Sequence, residues 1–522
     1  MALHFTNTLS RTKEEFIPLT PGLVRIYVCG PTVYSDSHLG HAKSYISFDV
    51  IVRYLRFLGY RVLYVQNITD VGHLTDDADE GEDKIEKQSR EEHVHPMQLA
   101  ETFTRSYFED MDALNVLRPD ISPRATAHIQ EQVEMIEALI ARGFAYESGG
   151  SVYYAVSAFP DYGKLSGRTV DELVAGARVS VNPEKRHPAD FALWKRAEPG
   201  HIMRWSSPWG EGFPGWHLEC SAMATKYLGE TLDIHGGGLE NQFPHHECEI
   251  AQCEGASGHP FVRYWLHNNM VTVDGRKMGK SLGNFLTLKD AFRRWSPQTI
   301  RFFILQSHYR STLDFSDEAV EAAARGLEKL GETVQRVRAS SAAEAGPAPA
   351  EGDLDLEPYT RAFREAMDDD VNTPRAIAVL FDLARAVNQR LDEAGTGEAA
   401  DLHVVLEWYN QHATGVLGLS LGLDAVRGDE EELQSDLIRT LIDIRQELRG
   451  AKQWQLADMV RQRLAELGIV LEDKRGETSW KRLPRGRSSP PPSPPPEGTT
   501  RQGLAPELPK NVRRVFGEDD DH

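Results

Sequence analysis

This 522-residue sequence has few cysteines, no long apolar run and no excess of positive charge. Its cysteines are too few and too scattered for a disulfide framework, so they are predicted to be thiols or metal ligands. They are Cys29, Cys220, Cys248 and Cys253. No stretch approaches the length of a membrane span, and the segment from Met1 to Lys13 lacks the apolar run of a signal peptide. We therefore expect a cytoplasmic protein with no membrane partner.

The formal net charge of −21 argues against a nucleic-acid partner, but only weakly. Net charge does not tell where positive patches lie on a folded surface. Basic residues outnumber acidic ones from Lys474 to Arg514, although the chain as a whole is acidic. A large polyanionic partner is therefore compatible with the composition.

Two nucleotide-binding signatures are also missing, the glycine-rich dinucleotide fingerprint and the Walker loop, which argues against NAD and against a P-loop mechanism. The residues that are present predict a strand–helix–strand unit. Val24 to Cys29 alternates like a strand, a helical apolar period runs from Ile46 to Leu58, and Arg61 to Ile68 predicts a second strand. Such a unit implies a parallel sheet, with a ligand site at the carboxyl end of the first strand.

The secondary-structure pattern of the later sequence changes several times. It mixes one helix with short strands up to about 213, has sheet-type residues from Gly215 to about 275, and is mostly helical from Leu288 onwards. The pattern predicts an α/β protein with a Rossmann-type parallel-sheet domain, an α/β insertion, a helical bundle and a small C-terminal unit. The predicted boundaries are 1–119 and 214–287 for the sheet domain, 120–213 for the insertion, 288–338 for a helical junction, 339–353 for a linker, 354–428 for the bundle, 429–485 for the small unit and 486–522 for a disordered Pro-rich tail.

Two short glycine-containing stretches predict a nucleotide site. His38 and His41 flank Gly40 at a helix start, where backbone amides favour an anion. Lys277 and Lys280 flank Gly279, on a loop that can close over a triphosphate. Taken singly, the first is more often a capping turn with surface histidines and the second a solvated basic loop. Their order along an α/β core favours the nucleotide site.

Thiols, imidazoles and carboxylates predict a metal site beside it. One thiol ends the first strand, and a histidine and a glutamate four residues apart share a helical face. Two thiolates, an imidazole and a carboxylate suit tetrahedral Zn²⁺. The candidate ligands are Cys29, Cys220, His245 and Glu249. The alternative is buried cysteines beside a surface helix, and His246 and Glu247 are also suitable ligands by type. Trp216 either lines a small pocket or packs in the hydrophobic core.

As a set, these residues resemble the cysteinyl-tRNA synthetases, a class I aminoacyl-tRNA synthetase family. The likeness extends from about Phe5 to Trp480 and leaves only the Pro-rich tail outside. The blocks that carry it are Tyr27 to Tyr34, His38 to His41, Asn67 to Asp70, Pro214 to Met223, His235 to Gly238 and Lys277 to Asn284.

The resemblance implies the reaction and its ligands. L-cysteine and ATP would form cysteinyl-AMP, and the cysteinyl group would pass to the 3′ terminal adenosine of tRNA(Cys), with release of AMP and pyrophosphate. One Zn²⁺ per chain would take the substrate thiolate, and Mg²⁺ would accompany ATP. The residues implied are Cys29, Cys220, His245 and Glu249 for the metal, His38, His41, Lys277 and Lys280 for ATP, and Thr69 and Trp216 for cysteine.

The same resemblance implies a helical domain that docks on tRNA and a small unit that reads the anticodon. The expected anticodon contacts are Arg449, Trp454, Asp458 and Asp473. We expect the chain to act as a monomer.

Two departures from the family pattern bear on the site. Gly279 replaces a serine that is usual in the lysine loop, and Cys248 replaces a usual asparagine. The Cys248 thiol could compete with Glu249 for zinc. We favour Glu249, since a third protein thiolate would make the metal a poorer acceptor for the substrate sulfur.

Two other functions compete with this interpretation. One is a mycothiol-type ligase that joins cysteine to an amino sugar, but such enzymes lack the full C-terminal region that is present here. The other is a catalytically inactive RNA-binding paralogue, against which the intact histidine and lysine motifs argue.

Overall fold

The computed structural model describes residues 2–74, 82–169, 182–279, 283–342, 354–394, 403–422, 428–451, 453–474 and 477–482. The chain divides into two compact units, Met1–Ser435 and Asp436–His522. The predicted tail, residues 486–522, and residues 343–353 of the predicted linker lie outside the described residues, while residues 339–342 are still helical. Within the described ranges, no helix combines the length and apolar character needed to cross a bilayer.

The first unit begins with a hairpin and a four-stranded parallel sheet. The hairpin strands are β1 (His4–Asn7) and β2 (Thr12–Glu15). The sheet strands are β3 (Leu23–Val28), β4 (Arg61–Gln66), β10 (Leu232–Gly238) and β11 (Val262–Asn268). Their spatial order is β11–β10–β3–β4, and every pair is parallel.

Other strands form two further sheets in this unit. Five antiparallel strands lie in the order β5–β6–β7–β9–β8, between β4 and β10 in the sequence. They are β5 (Ala145–Ser148), β6 (Ser151–Tyr154), β7 (Phe191–Arg196), β8 (Trp205–Ser207) and β9 (Gly210–Pro214). A small sheet in the order β13–β12–β14 contains β12 (Val271–Val273), β13 (Arg276–Lys277) and β14 (Leu313–Phe315).

Helices connect and cover these sheets. The described α-helices up to the end of the parallel sheet are α1 (Leu39–Phe57), α2 (Lys84–Glu91), α3 (Pro96–Ala113), α4 (Ile129–Ala141), α5 (Trp216–Leu228) and α6 (His245–Ser257). Those that follow are α7 (Leu288–Arg294), α8 (Pro297–Leu305), α9 (Asp317–Ala342), α10 (Glu357–Asp368), α11 (Thr373–Ala394) and α12 (His403–Tyr409). A π-helical stretch, Asn410–Val416, continues α12.

The connections of the parallel sheet create a point where the strand order reverses. Strand β3 leads through α1 to β4 on one side, whereas β10 leads through α6 to β11 on the other side. β3 and β10 are neighbours, paired from Ile26↔Ile234 to Val28↔Gly236. In open α/β sheets, ligands bind in the crevice outside the carboxyl ends of the strands at such a point.

The expectation of an α/β fold with a parallel sheet followed by helices is confirmed. The domain boundaries remain predictions. The expectation of sheet from Gly215 to about 275 is wrong for α5, whereas the helical face expected for His245 and Glu249 is present in α6. Residues on all sides of α5 are buried, from His217 to Ala224, so no polar face marks it as a helix in the sequence.

The second unit is a small α/β assembly. It contains most of α13 (Gly428–Gly450), then α14 (Trp454–Glu466) and an antiparallel hairpin of β15 (Ile469–Lys474) and β16 (Glu477–Arg482). Its buried cluster is Ile438, Ile442, Leu464, Ile469 and Leu471.

Candidate active site

A cavity of about 330 Å³ lies at the carboxyl ends of β3 and β10, where the strand order reverses. Residues from both sides of that point line it, together with the start of α1 and the start of α5. They include Cys29, His38, Thr69, Trp216, Gly238 and His245. The sheet topology therefore brings together sequence blocks that are far apart along the chain.

Four predicted metal ligands meet at one end of this cavity. One ligand atom from each of Cys29, Cys220, His245 and Glu249 lies within 4.8 Å of the others, and all four side chains are buried. The Cys29 Sγ atom is 3.9 Å from the Cys220 Sγ atom and 3.6 Å from a Glu249 carboxylate oxygen. His245 Nε2 is 3.1 Å from the same carboxylate. This arrangement can hold a metal ion.

Burial makes this cluster unfavourable for uncompensated charge. It raises the pKa of Cys29, with a further contribution from the neighbouring Cys220, and it raises the pKa of Cys220 to about 12. Burial lowers the pKa of His245, and the neighbouring His217 adds to this shift. Within the described residues, the ion-pair partners of Glu249 are histidines. A bound divalent cation would stabilise the thiolates that burial alone disfavours.

Other histidines orient these candidate ligands. His217 Nδ1 lies 2.9 Å from His245 Nδ1, which leaves His245 Nε2 for the cluster. His235 Nε2 is 2.7 Å from the second Glu249 oxygen. Such outer contacts fix the orientation of metal-binding side chains. The ligand atoms of a second set of four also lie within 4.8 Å of one another, namely Cys29, His235, His246 and Glu249. Sequence reasoning missed His235 as a candidate, because a strand residue before three glycines carries no ligand spacing.

The Cys248 thiol does not join either described cluster. Its Sγ lies 3.3 Å from the Tyr162 hydroxyl, in a buried apolar cluster. Cys248 follows His245 by three residues, a spacing that puts the two side chains near one face of α6, so the packing against Tyr162 and not the helical spacing keeps the thiol out of the cluster.

The paired histidines form the cap of α1. His38 Nδ1 accepts hydrogen bonds from the backbone N–H groups of Gly40 at 3.0 Å and His41 at 3.4 Å. The two imidazoles stack with their centroids 3.8 Å apart. Burial lowers the pKa of His41 well below its usual range, and the His38 imidazole adds to this shift. Two neutral imidazoles at a helix N-terminus can therefore donate to an anion.

The lysine loop lies next to these histidines. A backbone bridge joins His38 to Thr287, just after the loop, and Phe285 packs edge-on against the His38 ring at 5.2 Å. Lys277 ends β13 and is exposed. Lys280 lies outside the described residues. Met278, the neighbour of Lys277, would lie 3.8 Å from a Cβ atom at Gly40, whereas Lys277 itself is not among the residues that line the cavity.

The predicted cysteine-pocket residues also line the cavity. Thr69 is buried, donates its hydroxyl to Glu219 and accepts a hydrogen bond from Asn67 at 3.0 Å. Trp216 begins α5, and its indole lies 4.4 Å from the His245 ring.

Sequence reasoning missed several cavity residues. They include Thr32, His73, Lys84, Glu240 and Asn241. His73 follows the Asn67–Asp70 block by three residues, and Lys84 lies eleven residues further on. Neither has a recognisable spacing, so only the fold places them at the site.

The expected anticodon residues lie in the second unit. Trp454 is 56% exposed at the start of α14, and Arg449 and Asp458 are also exposed. The side chain of Asp473 lies outside the described residues, although its backbone belongs to β15. Their role in RNA binding stays a prediction.

Known proteins resemble the chain over almost its full length. A protein of Chlorobaculum tepidum named cysteine–tRNA ligase is 56% identical over 488 residues, which is 92% of this chain and 99% of that protein. The chain belongs to the cysteine–tRNA ligase family. Another member, from Thermus thermophilus, is 50% identical over 482 residues, again 92% of this chain and 99% of that protein.

Two family models match the chain, and a solved structure shares its fold. The model of the class I (C) tRNA synthetase catalytic domain matches residues 15–325, and the model of the DALR domain matches residues 362–422. A structure of Mycobacterium tuberculosis methionyl-tRNA synthetase in complex with methionyl-adenylate superposes with a TM-score of 0.57 at 16% identity. The superposition covers 77% of this chain and 92% of that chain, and it shows a shared fold.

Proposed function

We propose that the chain is a cysteine–tRNA ligase. It activates L-cysteine with ATP to cysteinyl-AMP and transfers the cysteinyl group to the 3′ terminal adenosine of tRNA(Cys), releasing AMP and pyrophosphate. One observation carries this proposal. The cavity at the strand reversal joins a buried Cys–Cys–His–Glu cluster to the histidine pair that caps α1, in a chain 56% identical to a protein named for this reaction.

The donor set fits a structural or substrate-binding Zn²⁺. Two thiols, one imidazole and one carboxylate are typical zinc ligands, and all four are buried close together. The ligands that we propose are Cys29, Cys220, His245 and Glu249, while His217 and His235 orient them through hydrogen bonds. When bound, Zn²⁺ would supply a soft acceptor that prefers the sulfur of cysteine to the oxygen of serine.

The remaining cavity residues handle ATP and the amino acid. His38 and His41 bind phosphate oxygens of ATP at the start of α1, and Mg²⁺ accompanies the nucleotide. Lys277 and Lys280 stabilise the negative charge that develops as the cysteine carboxylate attacks the α-phosphorus. Thr69 and Trp216 line the amino-acid pocket, which holds the carboxylate near that phosphorus.

The C-terminal half binds tRNA in this proposal. The DALR region, residues 362–422, docks on tRNA, and the second unit reads the anticodon through Arg449, Trp454, Asp458 and Asp473. The enzyme acts as a monomer in the cytoplasm. The match to the DALR model favours tRNA over an amino sugar as the acceptor.

Pyrophosphate exchange tests the proposal. We expect exchange with cysteine but not with serine, loss of exchange after zinc chelation, and charging of tRNA(Cys) by the untreated enzyme. Transfer of cysteine to glucosaminyl-inositol rather than to tRNA would identify a mycothiol-type ligase. Absence of cysteine-dependent exchange would refute the ligase function and support an inactive paralogue.

A further inference from the structure

His73 stacks flat against Trp216 in the wall of the cavity. The two ring centroids are 3.9 Å apart and the ring planes differ by 7°. Both residues line the cavity and both are partly exposed to it. The Trp216 indole also lies 4.4 Å from the ring of His245, one of the candidate metal ligands. The position of this indole therefore depends on His73 and affects the space beside the metal cluster.

Two hydrogen bonds hold the His73 ring in place. Lys84 Nζ lies 2.8 Å from His73 Nε2, and Thr32 Oγ1 lies 2.7 Å from His73 Nδ1. A lysine ammonium only donates, so Nε2 accepts and Nδ1 carries the proton that it donates to Thr32. Thr32 follows β3 and Lys84 begins α2, so two separate elements fix the plane of the imidazole.

The backbone beside His73 is packed closely against the residues that precede Trp216. Gly72 has a positive φ of 83°, and a Cβ atom placed there would lie 2.6 Å from the backbone oxygen of Pro214. Only glycine permits this approach. The His73 segment and the start of α5 are thus held together by backbone packing as well as by the ring stack.

The stack has a consequence for substrate selection. The Cys–Cys–His–Glu donor set can separate a thiol from a hydroxyl, but homocysteine is also a thiol and is longer than cysteine by a methylene group. Rejection of homocysteine must therefore come from the size of the pocket. Packing against a wall of fixed position discriminates by roughly 10–200-fold per methylene.

We propose that His73 is a positioning residue that sets the length of the amino-acid pocket, by fixing Trp216 so that cysteine fits and homocysteine is excluded. This inference rests on the proposed ligase function. It assigns His73 no contact with the reacting atoms. Its effect is on the fit of the side chain, so it acts on the KM for amino acids more than on kcat.

Replacement of His73 by alanine tests the proposal, with cysteine, homocysteine and serine compared in pyrophosphate exchange. We expect His73→Ala to lower the cysteine-to-homocysteine ratio of kcat/KM by about tenfold, mainly through KM, and to leave the cysteine-to-serine ratio unchanged. Calorimetric binding of cysteine and homocysteine to the same zinc-loaded proteins should show the same loss of discrimination. His73→Phe keeps a flat ring against Trp216 but loses both hydrogen bonds, so it should restore only part of the ratio.

His412→Ala is the matched control. His412 stacks on Trp408 with centroids 4.2 Å apart and planes 19° apart, and neither residue lines the cavity. This variant should lose thermal stability but keep the cysteine-to-homocysteine ratio. An unchanged ratio in His73→Ala, or an equal fall in the cysteine-to-serine ratio, would overturn the inference. If the wild-type protein itself shows no cysteine-dependent exchange, the proposed function fails, which is a separate outcome.

Discussion

At the scale of single residues, the four cysteines illustrate how similar environments give different roles. All four are buried thiols. Cys29 and Cys220 face each other in the cluster, whereas Cys248 contacts the hydroxyl of Tyr162 and Cys253 lies 3.7 Å from that of Thr225. Burial raises the pKa of Cys253 as it does that of the cluster thiols, so thiol acidity does not separate Cys253 from Cys29 and Cys220. What distinguishes Cys29 and Cys220 is that the His245 imidazole and the Glu249 carboxylate lie beside them.

Removal of a candidate ligand should release zinc, whereas removal of the neighbouring thiol should not. We expect Glu249→Ala to lose most of its bound zinc, because Glu249 Oε1 lies close to both Cys29 and His245. Cys248→Ala should keep about one zinc per chain, measured by elemental analysis. Loss of zinc in Cys248→Ala with retention in Glu249→Ala would reverse the assignment. Loss of zinc in His246→Ala but not in His245→Ala would favour the second donor set, which contains His235 and His246.

A buried lysine on α1 should make the stability of the fold depend on alkaline pH. Lys43 is 1% exposed, and its ammonium donates to the carbonyls of Met270 at 3.2 Å and Ser311. Burial lowers its pKa from 10.5 to about 8. Between these values the folded chain releases a proton that the unfolded chain keeps, so stability rises with pH across this window.

Urea unfolding of wild type and Lys43→Arg measures this effect. The arginine variant stays charged at all these pH values and serves as the reference. From about pH 7.5 to about pH 9.5, the unfolding free energy of the wild type should rise by about 1–2 kcal/mol relative to the variant. Parallel pH profiles for the two proteins would show that the Lys43 pKa is not lowered.

At the scale of elements, the side chain of Asn284 forms hydrogen bonds to the backbone of the lysine loop at two residues. Its Oδ1 accepts from the Gly279 N–H at 2.9 Å, and its Nδ2 donates to the Lys277 carbonyl at 3.0 Å. The chain then returns to the cap of α1 through the bridge between Thr287 and His38. The loop and the histidine pair are thus connected through a backbone bridge.

Asn284→Ala should weaken catalysis without disturbing the metal cluster. Two lost hydrogen bonds of about 1 kcal/mol each should lower kcat for pyrophosphate exchange by roughly ten- to thirtyfold, because Lys277 is held less firmly. Asn388→Ala is the control, since Asn388 on α11 uses its amide to bond Thr333 and Arg336 on α9. Steady-state exchange and zinc content measure the difference. An Asn284→Ala variant as active as the control would show that these two hydrogen bonds do not hold Lys277 in place.

At the scale of the whole molecule, Arg301 connects the catalytic sheet domain to the helices that follow it. This fully buried side chain on α8 pairs with Asp49 on α1, and it donates to the carbonyls of Leu114 at 3.0 Å and Leu417 at 2.8 Å. Gly418 has a φ of 64°, and a Cβ there would lie 2.3 Å from the guanidinium. Residues from the two matched family regions thus meet at this arginine.

Arg301→Met should therefore destabilise the fold and weaken the contact between the sheet domain and the helices that follow it. Among the described residues, loss of the arginine leaves buried Asp49 with one ion-pair partner, Arg53, and a hydrogen bond from the Leu117 N–H, so the unfolding free energy should fall by about 3–5 kcal/mol. Charging of tRNA should decrease more than pyrophosphate exchange, because only charging requires the helical region in the proposed function. The control is Arg293→Met, whose side chain is 78% exposed and pairs with Asp290. Equal losses of charging and exchange would contradict the coupling.

Local patterns in the sequence were sufficient for the core unit and for part of the site. The strand–helix–strand of β3, α1 and β4 is present close to its predicted bounds, since strand alternation and helical period depend on nearby residues. The predicted ligands Cys29, Cys220, His245 and Glu249 meet as a cluster, although their binding of zinc stays a prediction. The helix α5 was missed, because burial on all sides removes its amphipathic period.

The sequence by itself determined the class of fold, the glycine-flanked histidine and lysine stretches, and the types of side chain available for a metal. Only the tertiary structure decided that Cys248 faces Tyr162 and that His73 supports Trp216. Cys29 and Cys220 are 191 residues apart, and their contact exists because α5, which carries Cys220 and leads into β10, packs against β3. Strand order follows from the packing of the whole core, and short-range sequence patterns do not encode it.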